Sequence, residues 1–249
     1  MSDFNRGYAR TVPADRADMS VDAGLRGFML GVYNKVALGL LLSAALAYLT
    51  GNYPPIRDLM FTAAANGRIG YSPLGMIVAF APLGVMLIGM FAMRNPTPRS
   101  ASIFYWTIVS LIGAGLGVLS LVYTGTSIFS TFLITAAAFG GLSLVGYTTK
   151  KDLTGFGSFL IVGLIGLVIA SVVNMFLQNS AMGFIISVVG VLIFAGLIAY
   201  DTQRLKMSYY QMGGDQAAMG VATSYGALNL YLNFINLFQF LLSIFGDRR

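Results

Sequence analysis

The chain of 249 residues has no cysteine and no histidine. That excludes disulfide scaffolds, thiolate metal sites and imidazole chemistry, and with them zinc proteases and serine–histidine hydrolases. Charge is also scarce: 10% of the residues are Asp, Glu, Lys or Arg, against about 25% in ordinary soluble domains. Charged residues are missing from long stretches altogether. None falls between Arg99 and Lys150, between Asp152 and Asp201, or between Asp215 and Asp247. One helix crossing hydrocarbon needs about 20 apolar residues. The first two gaps are each long enough for two helices and a tight turn, and the third for one helix with an approach segment.

Apolar residues take up the room that charge leaves. They make 57% of the chain, and the mean hydropathy is +0.77. A soluble domain of this size has too little polar residue to cover such a composition. The expected fold is an all-α membrane protein with seven transmembrane helices in a lipid bilayer. Residues 1–27 form a polar tail of mixed charge, and residues 28–249 form the transmembrane domain. The spans are expected near Phe28–Leu49, Pro73–Met93, Ile103–Val122, Ile128–Tyr147, Phe156–Leu177, Met182–Tyr200 and Gly226–Phe245. Pro82 lies inside the second. Ala45-Leu46-Ala47 mimics a signal-peptidase site, but the polar region ahead of the first span is too long for a typical signal peptide. The loop with Pro54, Pro55 and Arg68 reads as irregular, no strand is expected, and residues 202–225 read as a polar connection.

The net charge of +6 does not point to nucleic acid, because the basic residues lie in loops between apolar spans. Ten Lys and Arg fall on the side of the N-terminus and four on the other, with Lys35 set aside as an intramembrane residue that snorkels to the interface. The positive-inside rule then places the N-terminus in the cytoplasm and the C-terminus outside. Glycine is plentiful at 30 residues. Gly113 and Gly117 form a small-xxx-small pair, with Gly140, Gly141, Gly163 and Gly166 adding further smooth surface for close helix packing.

Two features carry chemistry. Asp201 directly follows the apolar run Met182–Tyr200. A carboxylate at the centre of a spanning helix costs about 2.5–3.5 kcal/mol on insertion scales, less near the cytoplasmic end where this one is expected. It is either an interfacial acid or a group facing an internal cavity, able to hold a proton or a cation. In the seventh span Asn229, Asn233 and Asn236 recur at i, i+4 and i+7, the spacing of one helical face. Amides are poor groups to present to lipid. They serve either as glue between helices or as the lining of a polar pathway, and both uses put this helix inside the bundle. Helices six and seven are antiparallel, so an Asp201–Asn233 hydrogen bond is expected. Calcium takes six to eight oxygens, so one carboxylate and some amides make Asp201 at most a weak, transient calcium site. No other cofactor is expected, and no enzyme. The Gly-x-Gly-Asp motif of intramembrane aspartyl proteases is missing, as is the deep lysine of retinal proteins.

At these residues the chain resembles the Bax inhibitor family, in its bacterial YccA-like branch, from about Tyr33 to Arg249. The resemblance rests on Gly146-Tyr147-Thr148-Thr149-Lys150-Lys151-Asp152-Leu153, on Ala199-Tyr200-Asp201-Thr202-Gln203 and on Leu230-Tyr231-Leu232-Asn233-Phe234-Ile235-Asn236-Leu237-Phe238. It implies seven helices with the last central, wrapped by the others, and a cation leak, chiefly of calcium, under proton control in a bacterial inner membrane. It also implies a pair of aspartates on helices six and seven as pH sensor and gate. Asp201 matches the first, and the second position is Asn233. Two close carboxylates share a proton and titrate as a pair. An Asp–Asn pair has one titrating group, so a weaker pH response is expected. Bacterial relatives are linked to a membrane-bound AAA protease of the FtsH type, which implies a regulator or substrate role as the alternative, with the tail as the contact.

Overall fold

The computed structural model describes residues 23–63 and 69–249. The chain runs α1 (Ala23–Asn52), α2 (Pro54–Met60), β1 (Phe61–Ala63), β2 (Ile69–Tyr71), α3 (Pro73–Ala92), α4 (Pro98–Gly115), α5 (Val118–Val122), α6 (Gly125–Thr148), α7 (Thr154–Leu177), α8 (Ser180–Gln211) and α9 (Gln216–Phe245). Among the described residues, seven spans are long and apolar enough to cross a membrane, with α4 and α5 together making one of them. Large apolar side chains such as Phe80, Phe91, Phe159 and Phe176 point outward from α3 and α7. Such surfaces are liabilities in water and ordinary in lipid.

The last helix is the hub. α9 packs against α1, α4, α6 and α8, while α3 leans chiefly on α4 and α7 on α8. Leu230, Tyr231, Phe234, Leu237 and Leu242 of α9 are all at most 1% exposed. Phe132 and Phe139 of α6 pack on Phe234, each at 5.5 Å between ring centroids. On the α1–α4 side Tyr105 meets Tyr231 edge-on at 6.3 Å. Gly113 and Gly117 let α1 come close, as expected. A Cβ at Gly113 would lie 2.6 Å from the Ser43 Cα, and one at Gly117 2.9 Å from the Gly51 amide nitrogen. Gly140, Gly141 and Gly166 instead have open space around them, so they do not serve helix contact.

Several boundaries differ from the sequence expectation. α1 starts at Ala23, and Leu25 is fully buried. The remaining tail, residues 1–22, lies outside the described residues. The segment read as an irregular loop holds a short helix and two paired strands, while residues 64–68, with Arg68, lie outside the described residues. Phe61–Ala63 pairs antiparallel with Ile69–Tyr71, Phe61 opposite Tyr71, with their rings 5.5 Å apart. Three-residue strands are too short for an alternating pattern to show. The largest correction concerns residues 202–225. α8 continues to Gln211 and α9 begins at Gln216, so most of that stretch is helix. The turn between them needs glycine, since Gly213 and Gly214 have φ of 57° and 90°. Asp215 then caps α9 by accepting from the Ala217 and Ala218 amides at 2.8 and 3.2 Å.

At the far end, the residues after α9 are tied to the α5–α6 turn. The Thr124 amide donates to the Asp247 carbonyl and the Arg249 amide to the Val122 carbonyl, each at 3.0 Å. The Arg248 guanidinium lies 5.8 Å above the Tyr123 ring.

Candidate functional site between the sixth and seventh spans

α8 and α9 run antiparallel in close register. Gly190 lies under the Phe240 ring, Ser187 donates to Ser243 at 3.1 Å, and Leu205 packs on Gly226. Within that ladder the Asn233 Nδ2 donates to the Asp201 Oδ2 at 2.7 Å, the short distance of a charge-assisted bond. Asn233 is 6% exposed and Asp201 is half-buried. Arg204 stands exposed on the next turn of α8. Asp201 is not at the end of its helix as expected. α8 carries on because its later residues are amphipathic: Gln203, Leu205 and Lys206 are buried, and Tyr209 packs on Phe28 at 5.7 Å.

The three asparagines separate. Asn233 faces α8. Asn229 is exposed, and Asn236 is half-buried and donates to the Leu232 carbonyl at 2.8 Å. They do share a broad face of α9, but α8 covers only one edge of it.

The three motif segments meet in space. Gly146 of α6 packs directly on the Ala199 backbone of α8, and a Cβ there would lie 2.8 Å from the Ala199 Cα and carbonyl carbon. The Gln203 amide clamps the α6–α7 loop, its Oε1 accepting from the Leu153 amide and its Nε2 donating to the Lys151 carbonyl, both at 2.8 Å. Asp201 then joins this corner to α9.

Other polar contacts of the interior were not expected from the sequence. Lys206 is 4% exposed and donates to the Tyr147 carbonyl at 2.9 Å, with its ammonium 5.7 Å from the Tyr147 ring. It caps the C-terminal end of α6, where carbonyls lack helical partners. Lys35 is half-buried between helices. Its Nζ donates to Ser224 of α9 at 2.8 Å and to Ser102 of α4 at 3.0 Å, beside the Tyr105 ring. Deeper along α1, Ser43 shares a 2.6 Å hydrogen bond with the Tyr231 hydroxyl and donates to the Val109 carbonyl at 3.1 Å. Lysine near a span boundary reads as a loop or snorkelling residue, and serine carries no signal of its own, so these contacts had no sequence signature.

Among the described residues no three Asp, Glu, Cys or His side chains gather. A cation at Asp201 would meet one carboxylate and neighbouring amide oxygens, a set suited to passing contact with calcium.

The chain was compared with known proteins. The family model described as "Inhibitor of apoptosis-promoting Bax1" matches residues 25–249. A protein of Caulobacter vibrioides is 69% identical over the full length of both chains. One from Rickettsia prowazekii is 43% identical, covering 97% of this chain and 98% of its own. The inner membrane protein YbhL of Escherichia coli K12 is 41% identical, covering 91% of this chain and 94% of its own. A seven-span bundle whose motif segments converge on one corner, matched by the model from α1 to the last residue, makes this integral membrane protein a member of the Bax inhibitor family.

Proposed function

We propose that the protein is a non-catalytic cation leak pathway, chiefly for calcium, in a bacterial inner membrane, with Asp201 as the ion- or proton-binding group. The observation that carries this reading is the Asp201–Asn233 hydrogen bond. It sets an ionisable side chain against the central helix, and ionisable residues inside membrane spans generally serve ion or proton handling, which supports the reading. Asn233 holds the carboxylate, and Asn229 and Asn236 line the adjoining polar face. With one carboxylate in the pair, flux responds weakly to pH over about 5–8. The test is calcium entry into liposomes holding the purified protein. Flux above that of empty liposomes, altered by Asp201→Ala, is expected. No flux, or flux indifferent to Asp201→Ala, overturns the reading, and a steep two-step pH response overturns the one-carboxylate account.

The charge asymmetry supports a cytoplasmic N-terminus and an external C-terminus. The chain has no cysteine, so single cysteines at Thr97 and Gln178 can each be challenged with an impermeant thiol label outside intact cells. Labelling at Gln178 alone is expected.

The polar residues 1–22 ahead of α1 favour a second reading, a regulator or substrate of a membrane-bound AAA protease. Deleting them spares every described helix. If flux is nil and the deletion changes protease turnover, this second reading replaces the first.

A further inference from the structure

The central helix is not enclosed on all sides. Tyr225, Asn229, Leu232, Asn236, Gln239 and Ser243 alternate at spacings of four and three, which keeps them on one strip of α9. Asn229, Gln239 and Ser243 are exposed, and Leu232 and Asn236 are half-buried. On one side Asn233 and Phe240 lie against α8, and at its own end the strip meets α4, where Tyr225 packs on Phe104 at 6.0 Å. The strip therefore lies between α4 and α8. From Asn229 to Ser243 it rises about 21 Å at ~1.5 Å per residue, most of a hydrocarbon layer of about 30 Å.

Five of its six residues bear an amide or a hydroxyl, at depths where the other spans show Phe, Ile, Val and Leu. An amide facing hydrocarbon without a partner costs several kcal/mol. Asn236 satisfies one donor internally through the Leu232 carbonyl, and its carbonyl oxygen and the exposed Asn229 and Gln239 amides remain to be solvated. One end of the strip already meets solvent, because Ser243 lines a cleft of about 740 Å³ together with Asn174, Asn179 and Arg248. The other end is closed by Tyr225, whose hydroxyl reaches the Met93 sulfur at 3.8 Å.

We infer that this strip is the wall of a water-filled lateral groove, open at the Ser243 cleft and closed at Tyr225, that brings hydrated cations alongside the Asp201–Asn233 pair. Gln239 and Ser243 join Asn229 and Asn236 as its lining, and Leu232 is its apolar constriction. The inference that cations use the groove rests on the leak reading. The inference that water fills it does not.

The cysteine-free chain allows a direct test. Single cysteines replace Asn229, Asn236, Gln239 and Ser243, with Leu230 and Leu237 as core controls and Val162 and Ile165 of α7 as lipid-facing controls. A charged, membrane-impermeant thiol reagent is applied to the protein in nanodiscs. Thiols react as thiolates, which water favours and apolar surroundings suppress. Modification at the four strip positions at least about tenfold faster than at the four controls is expected. Reaction at Asn229→Cys and Asn236→Cys as slow as at Val162→Cys overturns the groove. So does spontaneous disulfide dimerisation of Asn236→Cys, which would put a second copy over the strip. Fast modification together with absent calcium flux keeps the groove and removes only its use by cations.

Discussion

If the Asp201–Asn233 bond fixes α8 to the hub helix, the two residues must be energetically coupled. Asn233→Leu removes the amide that donates at 2.7 Å and leaves a half-buried carboxylate without its partner. Hydrogen bonds to charged groups contribute about 1.5–3 kcal/mol. Asp201→Leu instead strands the Asn233 amide, 6% exposed, at about 1–3 kcal/mol. The double Leu variant removes both polar groups and fills the same space with apolar atoms, which is often close to neutral. The single costs therefore exceed the double cost, with a coupling energy of about 1.5–3 kcal/mol. The assay is denaturant unfolding in mixed micelles, followed by the single tryptophan, Trp106, which packs edge-on against Tyr105 at 5.0 Å. Single effects that add to the double effect within about 0.5 kcal/mol would refute the assignment of this bond as the tie between the helices.

Gly146→Ala is expected to cost about 1–3 kcal/mol, because its Cβ meets the Ala199 backbone, which cannot yield like a side chain. Gly140→Ala, in open space, should be neutral or stabilising by up to about 1 kcal/mol, and the same unfolding assay compares the two. Lys206→Met removes the ammonium from the Tyr147 carbonyl and should cost about 1.5–3 kcal/mol, with hydrogen exchange rising most in the last turn of α6. Asp152 is held below the usual carboxylate range by the Thr154 side chain and by the Thr154 amide, which donates at 2.8 Å. Its contribution to the start of α7 is present above the unfolded carboxylate value of about 3.9 and is lost as pH falls through the lower folded value. Thr154 amide protection should follow that course in the native protein and stay flat in Asp152→Asn.

The spans were legible because each is a long uncharged run, and the Asp201–Asn233 pair because two consecutive antiparallel helices leave few registers. Other features were hidden for definite reasons. Hydropathy ends a helix where charge begins, yet α8 continues past Asp201 as a helix that buries Leu205 on Gly226 and sets Tyr209 on Phe28. A lysine beside a loop counts as a loop cation, yet Lys206 reaches back to cap α6. It does so at the same end of the bundle, so the direction of the charge asymmetry is unchanged. A helical wheel puts Asn229, Asn233 and Asn236 on one face but cannot say where the neighbouring helix stops. That edge runs between Asn233, which α8 covers, and Asn229, which it does not.

The order of polarity among the spans has a physical source. In a soluble protein the most apolar helix is the most buried. Here α3 and α7, both strongly apolar, are the least buried, while α9, the least apolar, is the most buried. Lipid gives apolar side chains no reason to leave the surface, so the interior is where polar side chains find partners. α8 is as apolar as α7 and yet well buried, because it is wedged between α6, α7 and α9. α9 takes polar contacts on opposite sides. Ser224 accepts from Lys35 of α1, and Asn233 donates to Asp201 of α8. The two positions are nine residues apart, half a revolution at about 100° per residue. A rotation of α9 large enough to release Asp201 would therefore also pull Ser224 from Lys35. Lys35→Met should thus loosen the Asp201 site from across the helix, read as a smaller Asp201–Asn233 coupling energy when the double-mutant cycle is repeated in the Lys35→Met background. An unchanged coupling energy would mean that the two contacts hold α9 independently.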